Sequence, residues 1–184
     1  MPGSAPDASV GGGHGRLGVV TGAEGGWVVE TVDGAMVRLR SGKIGLINVD
    51  VKAPVSGGEL HVDADSVHLT LRLALDELRT GNFLLQGAAR SIVSRNDAHV
   101  LSYSGEGPVA HTPWHVVGHA KAGSVDVELG LDVIPCGPAD DPMAEIELKG
   151  SASMGTVHLP LPGMGTVDDF AFDVDGRFAL RAQH

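Results

Sequence analysis

The residues most able to do chemistry are the histidines, and three of them, His111, His115 and His119, recur every four positions. On a helix that spacing would stack three imidazoles on one face, the arrangement of a metal site. Pro113 and the β-branched pair Val116-Val117 oppose a helix there. On a strand, His115 and His119 share a face but stand ~13 Å apart, too far for one ion. The simpler reading is a polar outer face, and no metal is expected. His68 falls in the polar phase of its segment with Thr70 and Arg72, and His158 precedes a proline-rich stretch, so both read as surface residues. Cys136, in Ile134-Pro135-Cys136-Gly137-Pro138, has no indicated histidine partner and no nucleophile motif. The acid pairs Asp63/Asp65, Asp140-Asp141 and Asp168-Asp169 flank turns, where aspartate bonds its own backbone, and none has a Ca²⁺-loop spacing. Val10–Gly15 is glycine-rich but has no preceding strand, following helix or lysine, so it is not a phosphate loop. The expectation is therefore a non-enzyme with no catalytic residue and no cofactor.

The strongest pattern is apolar. Val125–Val133 alternates apolar and polar side chains for nine residues without a break, and Val67–Leu73 and Phe170–Val174 do the same. Successive strand side chains point to opposite faces, so each segment has one greasy wall and one wet wall. The rows Leu69, Leu71, Leu73; Val127, Leu129, Leu131; and Phe170, Phe172, Phe178, with Trp27, Val49, Phe83 and Leu84, are the candidates to face an interior. That interior is either filled by its own side chains or open to a guest. The pattern leaves both readings open, one a carrier, the other a filled structural or interaction protein with an acidic surface. An aromatic content of 4%, with much Gly and Ala, favours room inside.

The elements that hold these rows are read from period and turn chemistry. Residues 1–16 are rich in Gly, Ser, Pro and Ala and read as a flexible tail, with one domain over 17–184. A short strand is expected at Arg16–Val20. Trp27–Val32 and Ala35–Arg40 flank Asp33-Gly34, a hairpin signal. Ser41-Gly42 reads as the next turn, Ile44–Val51 as a strand and Pro54–Glu59 as a turn cluster, followed by strands at Leu60–Val62 and Val67–Leu75. Helical spacing then replaces alternation: a turn at Asp76-Glu77-Leu78, a break at Thr80-Gly81-Asn82 and one helix over about Phe83–Ser91, capped by Thr80 or Asn82. Strands resume at His99–Tyr103, Trp114–Ala120, Ser124–Val133, Ala144–Lys149 and Phe170–Val174. Pro135–Pro142 and Leu159–Gly163 read as loops, the latter a lid because proline removes ladder donors, and Asp175-Gly176 as a tight turn or bulge. About eight strands and one helical insertion make an all-β chain, and a single antiparallel barrel leaves no open edge.

Composition bounds the partners. The 184 residues carry 13 Lys and Arg against 23 Asp and Glu, a net charge of −10, which opposes nucleic acid or an anionic membrane face as the main partner, since both favour a basic patch. No segment approaches the ~18 apolar residues of a membrane span. The first residues lack the pattern of a secretory signal, and a single cysteine forms no internal disulfide, so a cytoplasmic protein is expected, with room for a homodimer.

The segment Leu73–Ser91, a strand followed by Thr80-Gly81-Asn82 and a short helix, resembles the YceI-like family. Trp114–His119 followed by Ser124–Leu131 is similar to that family's long hairpin, and Phe170–Leu180 occupies the place of its closing strand. The resemblance spans about residues 27–182 as a pattern of strands. Gln86 stands where the family often has an acid, Asp97-Ala98 where it has an aromatic-proline pair, and Gly34-Ala35 in place of a His-Ser pair. The resemblance implies a lipocalin-like barrel with an interior pocket, of a family associated with polyisoprenoid and other long apolar chains. If this chain is a carrier of an isoprenoid or fatty-acyl chain, the Phe83–Ile92 helix and the Leu159–Gly163 loop are expected to cover the mouth.

Overall fold

A computed structural model describes residues 23–32, 34–44, 47–161 and 164–184. The expected tail and the strand at Arg16–Val20 lie outside the described residues. Twelve strands and one α-helix follow in order: β1 Gly25–Val29, β2 Met36–Ile44, β3 Ile47–Val62, β4 Ser66–Ala74, β5 Arg79–Thr80, α1 Phe83–Arg95, β6 Val100–Pro108, β7 Trp114–Ala122, β8 Val125–Pro135, β9 Glu145–Met154, β10 Val157–Leu161, β11 Met164–Val167 and β12 Phe170–Ala182. A single 3-10 turn, Leu75–Glu77, joins β4 to β5, as the sequence predicts for Asp76-Glu77-Leu78. No described helix is long and apolar enough to cross a membrane.

Every barrel pairing is antiparallel. The ring runs β3–β4–β6–β7–β8–β9–β12 and closes through β1 and β2, which share the eighth wall position end to end. Inward residues alternate with exposed ones on each strand, as in Trp114 to Gly118 on β7 and Phe170 to Val174 on β12. That alternation is the period-two signal read from the sequence.

Several expected turns are strand instead. The strands on either side of the expected Asp33-Gly34 hairpin, β1 and β2, do not pair with each other, and both run antiparallel to β3 and β12; Asp33 itself lies outside the described residues. Gly34, at φ 111°, sits where the run is interrupted, and the ladder carries on around it through Glu30 N–H to Ala179 O (2.9 Å) and Val55 N–H to Ala35 O (2.9 Å). Burying Trp27 and Val29 against β3 and β12 outweighs the local preference for reversal. Ser41 lies within β2, paired with Phe172. Pro54–Glu59 is the middle of the 16-residue β3. Val55 opposes Leu73 and Gly57 opposes Arg72, so Ser56 is one extra residue, a β-bulge. The bulge switches the inward phase from odd (Val49, Ala53, Val55) to even (Gly58, Leu60, Val62). A bulge also tolerates nearby proline, which a regular inner strand does not.

Gly105 and Gly176 sit inside strands for one reason. A Cβ at Gly105 would fall 2.4 Å from the Tyr103 hydroxyl, and one at Gly176 would fall 2.6 Å from the Phe178 ring. Each ring lies down over the glycine two residues away. Asp175-Gly176 is therefore unbroken strand, and β6 continues past Tyr103 to Pro108. Leu159–Leu161, expected in a loop, belongs to β10, which pairs with β11 as a two-stranded ribbon outside the barrel. There Pro160 interrupts no inner ladder; Pro162 and Gly163 lie outside the described residues.

Helix α1 starts where expected and ends four residues later. Asn82 caps it, its side-chain oxygen accepting from Leu84 N–H at 2.8 Å. At the far end the Asn96 side-chain amide donates to Ile92 O, and Asp97 turns the chain with φ 50°.

Candidate ligand cavity

The two ends of the barrel differ. The registers place Trp27, Leu60, Val67, Trp114, Val133, Ile146 and Phe178 toward one end, all buried, most with no accessible surface. Two tryptophans and a phenylalanine make that end solid. The other end holds the inward residues of Val51, Leu73, Leu101, Ala122, Val125, Met154 and Phe172, and a cavity of about 190 Å³ opens among them. Smaller inward side chains supply the room: Ala53, Ala120 and Ala122 all line it. The interior is thus filled in one half and hollow in the other.

The lining is long: on β8 it runs from Val125 to Leu131. Six strand steps are ~20 Å, or ~15 Å along the axis of a tilted barrel, which is room for a stretch of extended chain. Among the described lining residues Asp175 is the one acid, and its carboxylate turns to the outer face, where it accepts from Arg40 at 2.8 Å. No Lys, Arg or His among the described residues lines the wall. A charged head group would find no partner inside and would stay at the rim.

Of the residues picked from the alternation, Leu71, Leu73, Val127, Leu129, Leu131 and Phe172 line this cavity together. Trp27, Val49, Leu69, Phe170 and Phe178 are buried but lie outside the lining. Phe83 and Leu84 point to solvent from the first turn of α1, 86% and 47% exposed, because the helix buries Leu85, Ala88 and Val93 instead. The sequence reading missed Tyr103. Its ring lines the cavity, its hydroxyl is shared between Val116 O (3.3 Å) and Leu129 O (3.2 Å), and burial pushes its pKa up to about 12. It is therefore a neutral donor that pins the floor. The alanines were missed too. Their signal was present: small residues in the inward phase of long strands.

The mouth is flanked by two insertions. Residues 75–99 leave β4 and return to β6 at the open end, and residues 155–169 leave β9 and return to β12 there. Helix α1 lies against β10. Gln86 ties the helix down: its amide donates to Leu78 O (2.6 Å) and its oxygen accepts from Thr80 N–H (2.9 Å). A carboxylate could not make the first bond. Gln86→Ala removes both, each worth ~1 kcal/mol. Hydrogen exchange should quicken across α1 while the barrel strands keep their protection.

His99 forms a second tie. Its Nδ1 lies 2.8 Å from Asp76 and its Nε2 2.9 Å from Asp97. The hydrogen bond to Asp76, with smaller help from Asp97, holds the His99 pKa above its ordinary value. A raised folded-state pKa makes this contribution complete below the unfolded value, ~6.5, and removes it as pH climbs through the folded value. His99→Gln should flatten the dependence of the melting temperature on pH across that window.

The other histidines of interest face outward. His115 Nδ1 lies 2.9 Å from Asp132 and His119 Nδ1 2.8 Å from Asp126, cross-strand pairs of β7 and β8. The His119 hydrogen bond is the main reason the Asp126 carboxyl sits below the usual range. His111 is exposed in the loop before β7. Among the described residues no three His, Cys, Asp or Glu side chains converge as metal ligands. Cys136 is half-buried, and burial is the largest cause of its raised thiol pKa.

No family model and no curated protein matches this chain. Solved structures do. Burkholderia cenocepacia BcnA superposes with a TM-score of 0.55 at 11% identity, over 81% of this chain and 98% of that one. The fold is that of the YceI-like barrels. A polyisoprenoid binding domain from Saccharophagus degradans, implicated in plant cell wall breakdown, gives a TM-score of 0.48 at 12% identity, over 85% of this chain and 98% of that one. At these identities the likeness is one of architecture.

Proposed function

We propose that the protein binds and carries one long apolar chain, isoprenoid or fatty-acyl in type, tail first in the barrel, and transforms nothing. The observation that carries this reading is an apolar cavity in one half of the barrel, open at the end away from the packed tryptophans. Each CH₂ taken from water contributes ~0.8 kcal/mol, so burying about ten methylenes supplies the ~8 kcal/mol of micromolar affinity, and a longer chain offsets the entropy lost on association. The helix and ribbon at the rim support a gated entry. The single cysteine fits a reducing compartment.

Native mass spectrometry of gently purified protein, with thermal melts in fatty acids and isoprenoids, tests it. A ligand at a hundred times its Kd adds ~2.7 kcal/mol, a rise of about 5–10 °C in a domain of this size. A clean ligand-free mass, with no rise for any compound, would overturn the proposal.

A further inference from the structure

The outer face of α1 has a composition unlike the rest of the molecule. Phe83, Leu84, Gly87, Arg90, Ser94 and Arg95 are its exposed residues. Phe83, Gly87, Arg90 and Ser94 follow one another at helical spacing, a single stripe along the side opposite Leu85 and Ala88. Leu84 and Arg95 flank the stripe on one side, so the exposed face has its large apolar side chains in the first turn and both arginines in the last two turns. The helix holds two arginines and no acid, in a chain of net charge −10. Among the described residues neither arginine has an ion-pair partner, as is also true of Lys52, Arg72, Arg79 and Arg181, whereas Arg38, Arg40, Lys121, Lys149 and Arg177 are paired. Asp76 and Asp97, on either side of the helix in the sequence, are both engaged by His99, and Asp126 on the neighbouring hairpin by His119 and Lys121. Val100 and Val125, 50% and 38% exposed, stand at the same open end of the barrel.

We propose that this face of α1 docks the open end of the barrel on an anionic lipid surface. Apolar side chains enter the headgroup boundary while arginines meet lipid phosphates, the combination that holds a short helix at an interface. The acidity of the whole chain is no obstacle, because charges beyond ~8–10 Å are screened at physiological salt. Docking would set the mouth against the bilayer, so that an apolar chain crosses little water on its way in or out. That purpose rests on the cavity reading above; the docking itself does not.

The full chain would be sedimented with vesicles of phosphatidylcholine alone and of phosphatidylcholine mixed equally with phosphatidylglycerol. Association is expected with the mixed vesicles, weaker with the neutral ones and weakened by salt. Each arginine contributes about fivefold, the equivalent of ~1 kcal/mol per basic residue near anionic headgroups, so Arg90→Glu with Arg95→Glu should cost at least about thirtyfold. Phe83→Ser should cost about tenfold on the same vesicles. The arginine pair lies outside the cavity wall, so the double variant should bind a soluble fatty acid as the parent does. Failure of the parent to associate at low salt, or equal association of parent and all variants, would overturn the docking proposal. Fatty-acid binding without vesicle association would leave the carrier reading standing and the docking refuted; vesicle association without any ligand uptake would do the reverse.

Discussion

Replacing Ala120 by tryptophan abolishes uptake of an apolar chain and leaves the barrel at least as stable as before. Ala120 faces the cavity from β7, beside Tyr103 on β6 and Val127 on β8. An indole there occupies the space the ligand needs. Forcing bulk into a packed core costs ~1–3 kcal/mol, but filling an existing hollow commonly adds ~0.5–2 kcal/mol. The two measurements therefore move in opposite directions. Affinity for a fatty acid should fall at least about a hundredfold, the loss of some 3 kcal/mol or more of burial, while the melting temperature of the free protein holds or rises. Retained binding would mean that the ligand sits elsewhere; a collapsed melting temperature would mean that the hollow is not there to be filled.

The largest loss of stability is expected from Phe178→Ala at the solid end. Phe178 is 2% exposed and lies over Gly176. Removing a buried phenylalanine costs ~3–5 kcal/mol, since the backbone around it cannot close the gap. For a domain of this size that lowers the melting temperature by roughly 6–20 °C. Calorimetry reads it directly. A drop of only a degree or two would show that the barrel floor is loosely packed and that the distinction between its ends is false.

The barrel itself was legible in the sequence because period-two alternation survives on nearly every wall strand. What misled was local turn chemistry. Asp33-Gly34 and Pro54–Glu59 carry strong reversal signals, yet their neighbours gain more by staying in the ladder, and a one-residue bulge at Ser56 absorbs the misfit. The cavity was legible only in part, for a geometric reason. Leu71 and Leu69 share a phase, as do Phe172 and Phe178, yet in each pair only the first lines the hollow. Height along the barrel axis depends on stagger between strands that meet from distant parts of the chain, and alternation says nothing of it. The misplacement of Phe83 and Leu84 was avoidable. Once Asn82 is taken as the cap, the stripe Leu85, Ala88, Ile92 is the better apolar face, and it leaves both residues outside.

Strand β12 bonds to β1 and β2 on one side and β9 on the other, so it is the keystone of the ring. During synthesis nothing can take its place. Without β12 the borders of β2 and β9 have no partner in the ring and are edges of the kind that pair with another chain. A chain lacking β12 is therefore expected to associate through those borders rather than to close a smaller barrel.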